Sequence, residues 1–190
     1  MRSSVPSGLL PSEAPIGELL EEAIRHCAER KRESLEMALD ELRRGEPDAH
    51  STFRYALAQA LGRYLGGLGA SFRAVYVYGS AMCERSSPCS DVDLLIVVNR
   101  HRDEITRLLL RLDLALVTYY RLLLQGRAAP SSLLDIRVID TNEEEERLGF
   151  GALLSGLETC PVCLWRSTPE VGTGTLLAGS PRRSSTASVR

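Results

Sequence analysis

Two aspartates, Asp91 and Asp93, open an apolar run of strand length, DVDLLIVV (91–98). Alternate side chains of a β-strand point to the same face, so we expect both carboxylates on one side of this strand. Neighbouring carboxylates repel each other, and a divalent cation relieves that repulsion. Carboxylate oxygens suit Mg²⁺ or Mn²⁺, and two such ions catalyse in-line displacement at phosphorus. The pair therefore predicts a site for two Mg²⁺ or Mn²⁺ ions.

A structural role for the same pair stays open, because Ser-Asp at the start of a strand is also a common turn element. That interpretation leaves the charge of Asp93 unexplained. The residue lies inside an apolar strand, where a carboxylate needs a partner, and no Arg or Lys alternates with it.

A Gly-Ser pair precedes the aspartates. Gly79 and Ser80 follow the apolar run VYVY (75–78) and are predicted to open a helical turn. Backbone N–H groups at such a turn can bind an anion, and glycine lets a phosphate approach closely. The sequence thus predicts a phosphate-binding turn beside a carboxylate pair, which is what a metal-bound nucleoside triphosphate requires.

The elements that carry these residues follow from apolar periodicity and turn residues. We predict strands near 72–78, 91–98, 133–139 and 162–165. One long helix, or two in tandem, should span 103–125, and a short helix should open at Glu143 to Glu146. The sequence predicts an α/β (α+β) fold with a mixed sheet of about four strands flanked by helices.

The N-terminal part is predicted to be helical. One amphipathic helix should run from Ser12 to about Gly45, and a second should end at the glycines of 66–69. We expect a disordered leader at 1–11, a helical extension at 12–69, the catalytic domain at 70–166 and a disordered tail at 167–190. The tail is rich in Ser, Thr, Gly, Pro and Arg.

The stretch from 75 to 98 resembles the signature of the DNA polymerase beta superfamily of nucleotidyltransferases, in particular the minimal nucleotidyltransferases of archaea and bacteria. The match is Val77-Tyr78-Gly79-Ser80, ten intervening residues, and then Ser90-Asp91-Val92-Asp93-Leu94. The resemblance covers about residues 70 to 165 and implies that Gly79 and Ser80 hold the triphosphate of an NTP, with ATP expected.

The family also places a third carboxylate on a neighbouring strand, within a hydrophobic-Asp-hydrophobic pattern that Leu134-Asp135-Ile136 satisfies. The resemblance implies that Asp91 and Asp93 bridge two metal ions. It further implies that Asp135 completes the catalytic metal site and helps to remove the proton of an acceptor hydroxyl. The implied reaction moves a nucleoside monophosphate from the NTP to that hydroxyl and releases pyrophosphate.

Two alternatives concern the third carboxylate. Asp135 could simply cap its strand after the Ser131-Ser132 loop. Asp140 is a rival acid, but its odd offset from Asp135 places it on the opposite face, and capping of the following helix accounts for it.

A departure from the family supports a different class of function. Family members carry an Arg shortly after Gly-Ser, whereas this chain has AMCE at 81–84, and Arg85 or Arg73 would have to supply the charge. The alternative is therefore a catalytically degenerate nucleotide-binding or regulatory module. In the minimal branch, the resemblance implies a partner protein with a helical, HEPN-type domain, in an antitoxin and toxin arrangement.

Composition limits the partners. The 190 residues have a formal net charge of -2 with no basic block in the predicted core, which argues against a long nucleic acid as acceptor and leaves a protein side chain or small molecule. No apolar run could span a membrane, so we expect a cytoplasmic protein, and a homo-oligomer stays open.

The cysteines and histidines are predicted to have structural roles. Five cysteines without a second metal-binding pair read as reduced thiols, and Cys160 and Cys163 are predicted to be buried on a short strand. His26, His50 and His101 lack the spacing of metal ligands, and we expect plain surface roles for them.

Overall fold

The computed structural model of the chain describes residues 14–82, 86–101, 103–125, 129–156 and 161–168. The predicted leader at 1–11 and nearly all of the predicted tail at 167–190 lie outside these ranges. The main elements in chain order are α1 (Ala14–Lys31), α2 (Leu35–Arg44), α3 (Pro47–Gly67), β1 (Phe72–Tyr78), β2 (Val92–Val98), α4 (Asp103–Leu123), β3 (Leu134–Asp140), α5 (Thr141–Glu146) and β4 (Val162–Arg166). Short 3₁₀ turns follow β1 and α5, at Gly79–Met82 and Gly149–Ser155.

The four strands form one mixed sheet in the order β3-β2-β1-β4. Strand β1 pairs antiparallel with β2 and β4, whereas β2 and β3 are parallel. A parallel pair needs a crossover, and α4 supplies it. The predicted fold class, a mixed sheet of about four strands flanked by helices, is confirmed, and each strand begins and ends within one residue of its predicted range.

The sheet has two unlike faces. We call the side that packs under α1 to α4 the covered face, because alternate strand residues such as Val92, Leu94 and Leu134 join the main core with those helices. The other side, the open face, has a small separate cluster against which Leu153 and Leu154 pack. The buried residues of that cluster are Ala74, Tyr76, Tyr78, Leu95, Val97 and Ile139.

The N-terminal part contains three helices, so the prediction of two is wrong. The first predicted helix is broken after Lys31, where Arg32 has a left-handed φ of 56° and Ser34 caps α2 by accepting a bond from the Met37 amide. The Ser34 cap offsets the helical hydrogen bonds that are lost at the break. The apolar periodicity of the sequence continues across the break and therefore does not reveal it. The predicted end of α2 at Gly45 is confirmed, with a left-handed φ of 81°.

Within the described ranges, no helix has an apolar stretch long enough to cross a membrane.

Strand pairing continues briefly beyond β4, because the backbone N–H of Ser167 donates to the Arg73 carbonyl at 2.8 Å.

Candidate active site

The two acid-bearing strands are neighbours, and their register brings Asp93 opposite Asp135. Since Val92 and Leu134 belong to the covered face, strand alternation places Asp93 and Asp135 on the open face. Asp91 lies one residue before β2 and is half-buried. The sequence-predicted acids therefore meet at the start of two adjacent parallel strands.

The electrostatics of this acid group centre on Asp93. Burial, followed by repulsion from Asp91, raises the pKa of Asp93 to about 6, and the Asp135 charge acts in the same direction. A bond from the Ser80 backbone N–H and the charge of Arg137 oppose that rise. The negative charge of the three acids is thus only partly neutralised by the protein.

The Gly79-Ser80 turn packs directly against Asp93. The turn is helical, as predicted, and Gly79 has a left-handed φ of 70°. A Cβ at this position would lie far inside contact distance of the Asp93 carboxylate. The Ser80 backbone N–H bonds to that same carboxylate. Glycine is therefore required here by the backbone conformation and by Asp93, whereas phosphate binding by Gly79 and Ser80 stays a prediction.

Arg137 is a site residue that sequence analysis missed. Its guanidinium donates to Asp135 Oδ2 at 3.0 Å and lies 5.0 Å from the centre of the Phe150 ring. Arg137 also forms a hydrogen bond with the Tyr78 hydroxyl. Burial and then the charge of Asp93 raise the pKa of Tyr78, and this bond acts in the opposite direction. Arg137 could have been found by applying to β3 the alternation used for β2, because residues 135 and 137 share a face.

Of the two arginines proposed to replace the missing family Arg, Arg73 does not fill that place. Arg73 pairs with Asn99 at the far end of β1, whereas Asp93 lies opposite Tyr78. At about 3.3 Å per residue, the five positions between Arg73 and Tyr78 span roughly 16 Å, so Arg73 cannot reach the acids. Arg85 lies outside the described residues.

The rival acid Asp140 has the predicted structural role. Its Oδ1 accepts bonds from the Asn142 and Glu143 amides at 2.9 Å, and the Glu143 side chain accepts the Asp140 amide at 3.1 Å. This reciprocal pair is a capping box for α5.

The predicted surface role is wrong for His50, which is fully buried. Its Nε2 lies 2.9 Å from the Leu42 carbonyl, which can only accept, so Nδ1 must accept the Tyr120 hydroxyl, also at 2.9 Å. Burial, followed by the charge of Arg54, lowers the pKa of His50 to about 4 and keeps it neutral. His101 is exposed, as expected, and His26 is half-buried.

The predicted burial of the CxxC cysteines is wrong for Cys163, which is an exposed free thiol on β4. Cys160 lies outside the described residues. In the part of the chain that the structure describes, no group of three or more His, Cys, Asp or Glu side chains is assembled to hold a metal ion.

Comparison with known proteins does not place the chain in a family: no family model, no curated protein and no solved structure matches it. Any functional assignment therefore depends on the residues and their geometry.

Proposed function

We propose that the chain is a metal-dependent nucleotidyltransferase of the DNA polymerase beta superfamily. It would transfer a nucleoside monophosphate from an NTP to a hydroxyl group and release pyrophosphate. The observation that carries the proposal is the convergence of three sequence segments, in which Asp93 lies opposite Asp135 and the Gly79-Ser80 turn packs against Asp93. Such chemistry depends on positioning and charge neutralisation rather than on a protein nucleophile.

The chemistry of the donor atoms suits a pair of Mg²⁺ or Mn²⁺ ions, although among the described residues the three carboxylates are not gathered into a ready-made metal site. Asp91, Asp93 and Asp135 offer carboxylate oxygens, the ligands that these hard cations prefer. Burial and then the charge of Asp91 raise the pKa of Asp93, and a bound cation would favour the ionised carboxylate. Arg137 is bonded to Asp135, so a metal ion would compete with that ion pair. When bound, the ions would orient the triphosphate and neutralise its developing charge.

The acceptor is proposed to be a protein side chain or a small molecule, and the nucleotide to be ATP. The near-neutral charge of the chain supports this choice over a long nucleic acid. We further propose that the protein is cytoplasmic and that it binds a partner protein with a HEPN-type domain.

A second candidate is a nucleotide-binding or regulatory module without turnover. Two observations favour it: the Ser80 backbone N–H and the Asp135 carboxylate already have partners within the protein, Asp93 and Arg137. In such a module these internal bonds would replace the metal and phosphate contacts of an active enzyme.

Incubation with Mg²⁺ or Mn²⁺ and each radiolabelled NTP separates the two candidates. An enzyme releases pyrophosphate and labels either itself or a supplied partner, whereas a binding module retains intact NTP. Asp93→Ala should abolish metal-dependent NTP binding and keep the fold, because the substitution removes one of two repelling charges. Circular dichroism and urea unfolding check the fold.

Asp103→Ala, which removes an exposed acid at the start of α4, is the matched control and should behave like the unsubstituted protein. If the protein neither binds any NTP nor releases pyrophosphate from it, both candidates are refuted. Unfolding of Asp93→Ala would show instead that the carboxylate pair is structural.

A further inference from the structure

A fully buried arginine lies on the covered side of the molecule, behind the acid group. Arg54 belongs to α3 and has no exposed surface. Burying a guanidinium is costly unless its donors are satisfied, so its hydrogen bonds should show what it is for.

The donors of Arg54 are directed at the segment that leads to Asp91. Its Nε and Nη2 both donate to the Ser90 carbonyl, at 2.9 and 2.6 Å, and Nη2 also donates to the Pro88 carbonyl at 3.2 Å. Its Nη1 donates to the His50 carbonyl at 3.2 Å. Its backbone acceptors are neutral carbonyls, and two of them lie in the segment of residues 86–91 that precedes β2. The guanidinium also bonds the Tyr120 hydroxyl.

The Ser90 carbonyl belongs to the peptide group that also contains the Asp91 nitrogen. A peptide group is planar, so two bonds from a rigid guanidinium fix the orientation of that plane. On the other side of Asp91, the Val92 amide donates to the Leu133 carbonyl at 2.8 Å. Asp91 therefore lies between two peptide groups, and hydrogen bonds hold each of them in place.

Arg54 is itself held from behind. Its guanidinium lies 5.8 Å from the centre of the Tyr120 ring, and the Tyr120 hydroxyl is bonded to His50. The segment of residues 86–91 has a second anchor, because the Ser86 amide donates to Ser51 Oγ on α3 at 3.0 Å. This segment is thus fastened to α3 at two points, and Arg54 holds the point nearer to the acids.

We infer that Arg54 is the positioning residue for Asp91. By holding the Pro88 and Ser90 carbonyls, its guanidinium sets the direction in which the Asp91 carboxylate enters the acid group, without touching substrate or metal. This inference rests on the proposed function for its catalytic consequence, but the placement of Asp91 can be measured without any activity.

The first test compares Arg54→Lys with Arg63→Lys. Lysine keeps the charge but cannot present the planar fork that holds the Ser90 peptide. The control makes the same substitution at an exposed position of α3, where Arg63 pairs with Glu22. In Arg54→Lys, amide exchange at Ser90 and Val92 should quicken about tenfold, since local opening becomes easier. The carboxyl carbon resonance of Asp91 should shift or broaden, and Arg63→Lys should leave both signals unchanged.

In the transfer assay, Arg54→Lys should lower kcat about 10-fold to 100-fold and leave the NTP KM within about threefold, because misplacement of Asp91 is felt mainly in the transition state. Unchanged Asp91 signals in Arg54→Lys, or equal changes in Arg63→Lys, would overturn the inference. If the Asp91 signals change as expected and no NTP is turned over even by the unsubstituted protein, the proposed function fails and the inference stands.

A second measurement needs no variant, which matters if Arg54→Lys does not fold. In the unsubstituted protein, the Nε–H proton of Arg54 should exchange with solvent as slowly as the Ser90 and Val92 amides. The exposed Arg25 serves as the reference for fast exchange. Exchange of the Arg54 proton at the Arg25 rate would overturn the inference.

Discussion

The segments that lead into the two acid-bearing strands are both fastened to helices of the covered face, but by opposite charges. Ahead of β2, Arg54 of α3 donates to carbonyls of residues 88 and 90. Ahead of β3, Asp113 of α4 accepts the Leu133 and Leu134 amides at 2.8 Å each and the Ser132 hydroxyl at 2.7 Å. A cation holds backbone carbonyls at one strand, and an anion holds backbone N–H groups at the other.

The two anchors differ in burial as well as in sign. Arg54 is fully buried and Asp113 is half-buried. The Asp113 carboxylate accepts backbone N–H groups and still reaches water. The Arg54 guanidinium is closed off from water, so all its hydrogen-bond acceptors must lie inside the protein. In both cases helices on one face of the sheet set the positions of acids on the other face.

The largest expected effect concerns the acid on the strand that Asp113 anchors. Asp135→Asn keeps the side-chain shape and removes the charge, so nucleotidyl transfer should fall about 100-fold to 1,000-fold while NTP affinity changes little. Steady-state kinetics and equilibrium NTP binding measure the two quantities. Asp140→Asn is the matched control from the other end of β3 and should transfer at a near-normal rate. A slow Asp140→Asn together with a normal Asp135→Asn would show that Asp140 is the third carboxylate.

The Asp113 anchor can be removed without touching the acid group. Asp113→Ala leaves the part-buried Leu133 and Leu134 amides without their acceptor and should lower the free energy of unfolding by about 3 kcal/mol. Asp113→Asn retains an acceptor oxygen for both amides and should cost about 1 kcal/mol or less. Urea unfolding measures both values. Equal stability of the two variants would mean that the amides find other acceptors.

The Arg54 network differs from the Asp113 anchor in containing a titratable base. Burial, followed by the charge of Arg54, lowers the pKa of His50 from its ordinary value of 6.5 to about 4 in the folded protein. Between these values the unfolded chain binds more protons, so the His50 contribution to stability is lost as the pH falls from 6.5 to 4. At 1.36 kcal/mol per unit, the loss should be about 3 kcal/mol. Urea unfolding of the unsubstituted protein and His50→Gln across this range gives it by difference, and parallel curves would contradict the buried neutral state.

A smaller effect of opposite sign is expected on the open face. The pKa of Asp93 is raised from 3.8 to about 6, so the folded protein binds more protons than the unfolded chain in that range. Stability due to this group is therefore present below pH 3.8 and is lost as the pH rises through 6. Asp93→Asn should stabilise the protein at pH 7 by about 1 to 2 kcal/mol, because the part-exposed carboxylate feels only part of the cost of burial and repulsion. A destabilised Asp93→Asn would show that the Ser80 bond outweighs the cost of burying the charge.

Much of the fold could be predicted because strands of this protein are short apolar runs bounded by turn residues. The range of β1 was predicted to the residue, from 72 to 78. The break between α1 and α2 could not be found from periodicity, because apolar spacing continues through it. In the structure the Ser34 side chain caps α2. Serine also occurs inside unbroken helices, so its presence in the sequence does not by itself predict a break.

The site was predicted in part. Alternation along β2 and β3 identified the acids, and the same rule would have found Arg137. The burial of His50 could not be predicted, because it depends on Tyr120, 70 residues further along the chain. The role of Arg54 was equally hidden, since its acceptors are backbone carbonyls, which every residue has.

By itself, the sequence determined which residues form strands and which side of each strand bears a carboxylate, because alternation is a property of the local backbone. Only the tertiary structure decided that Asp93 lies opposite Asp135, because register results from packing the covered face of the whole sheet. It also decided that Arg137 meets Tyr78, and that Arg54 reaches the Ser90 carbonyl. These contacts join segments far apart in the chain, and their geometry is set by the shared core.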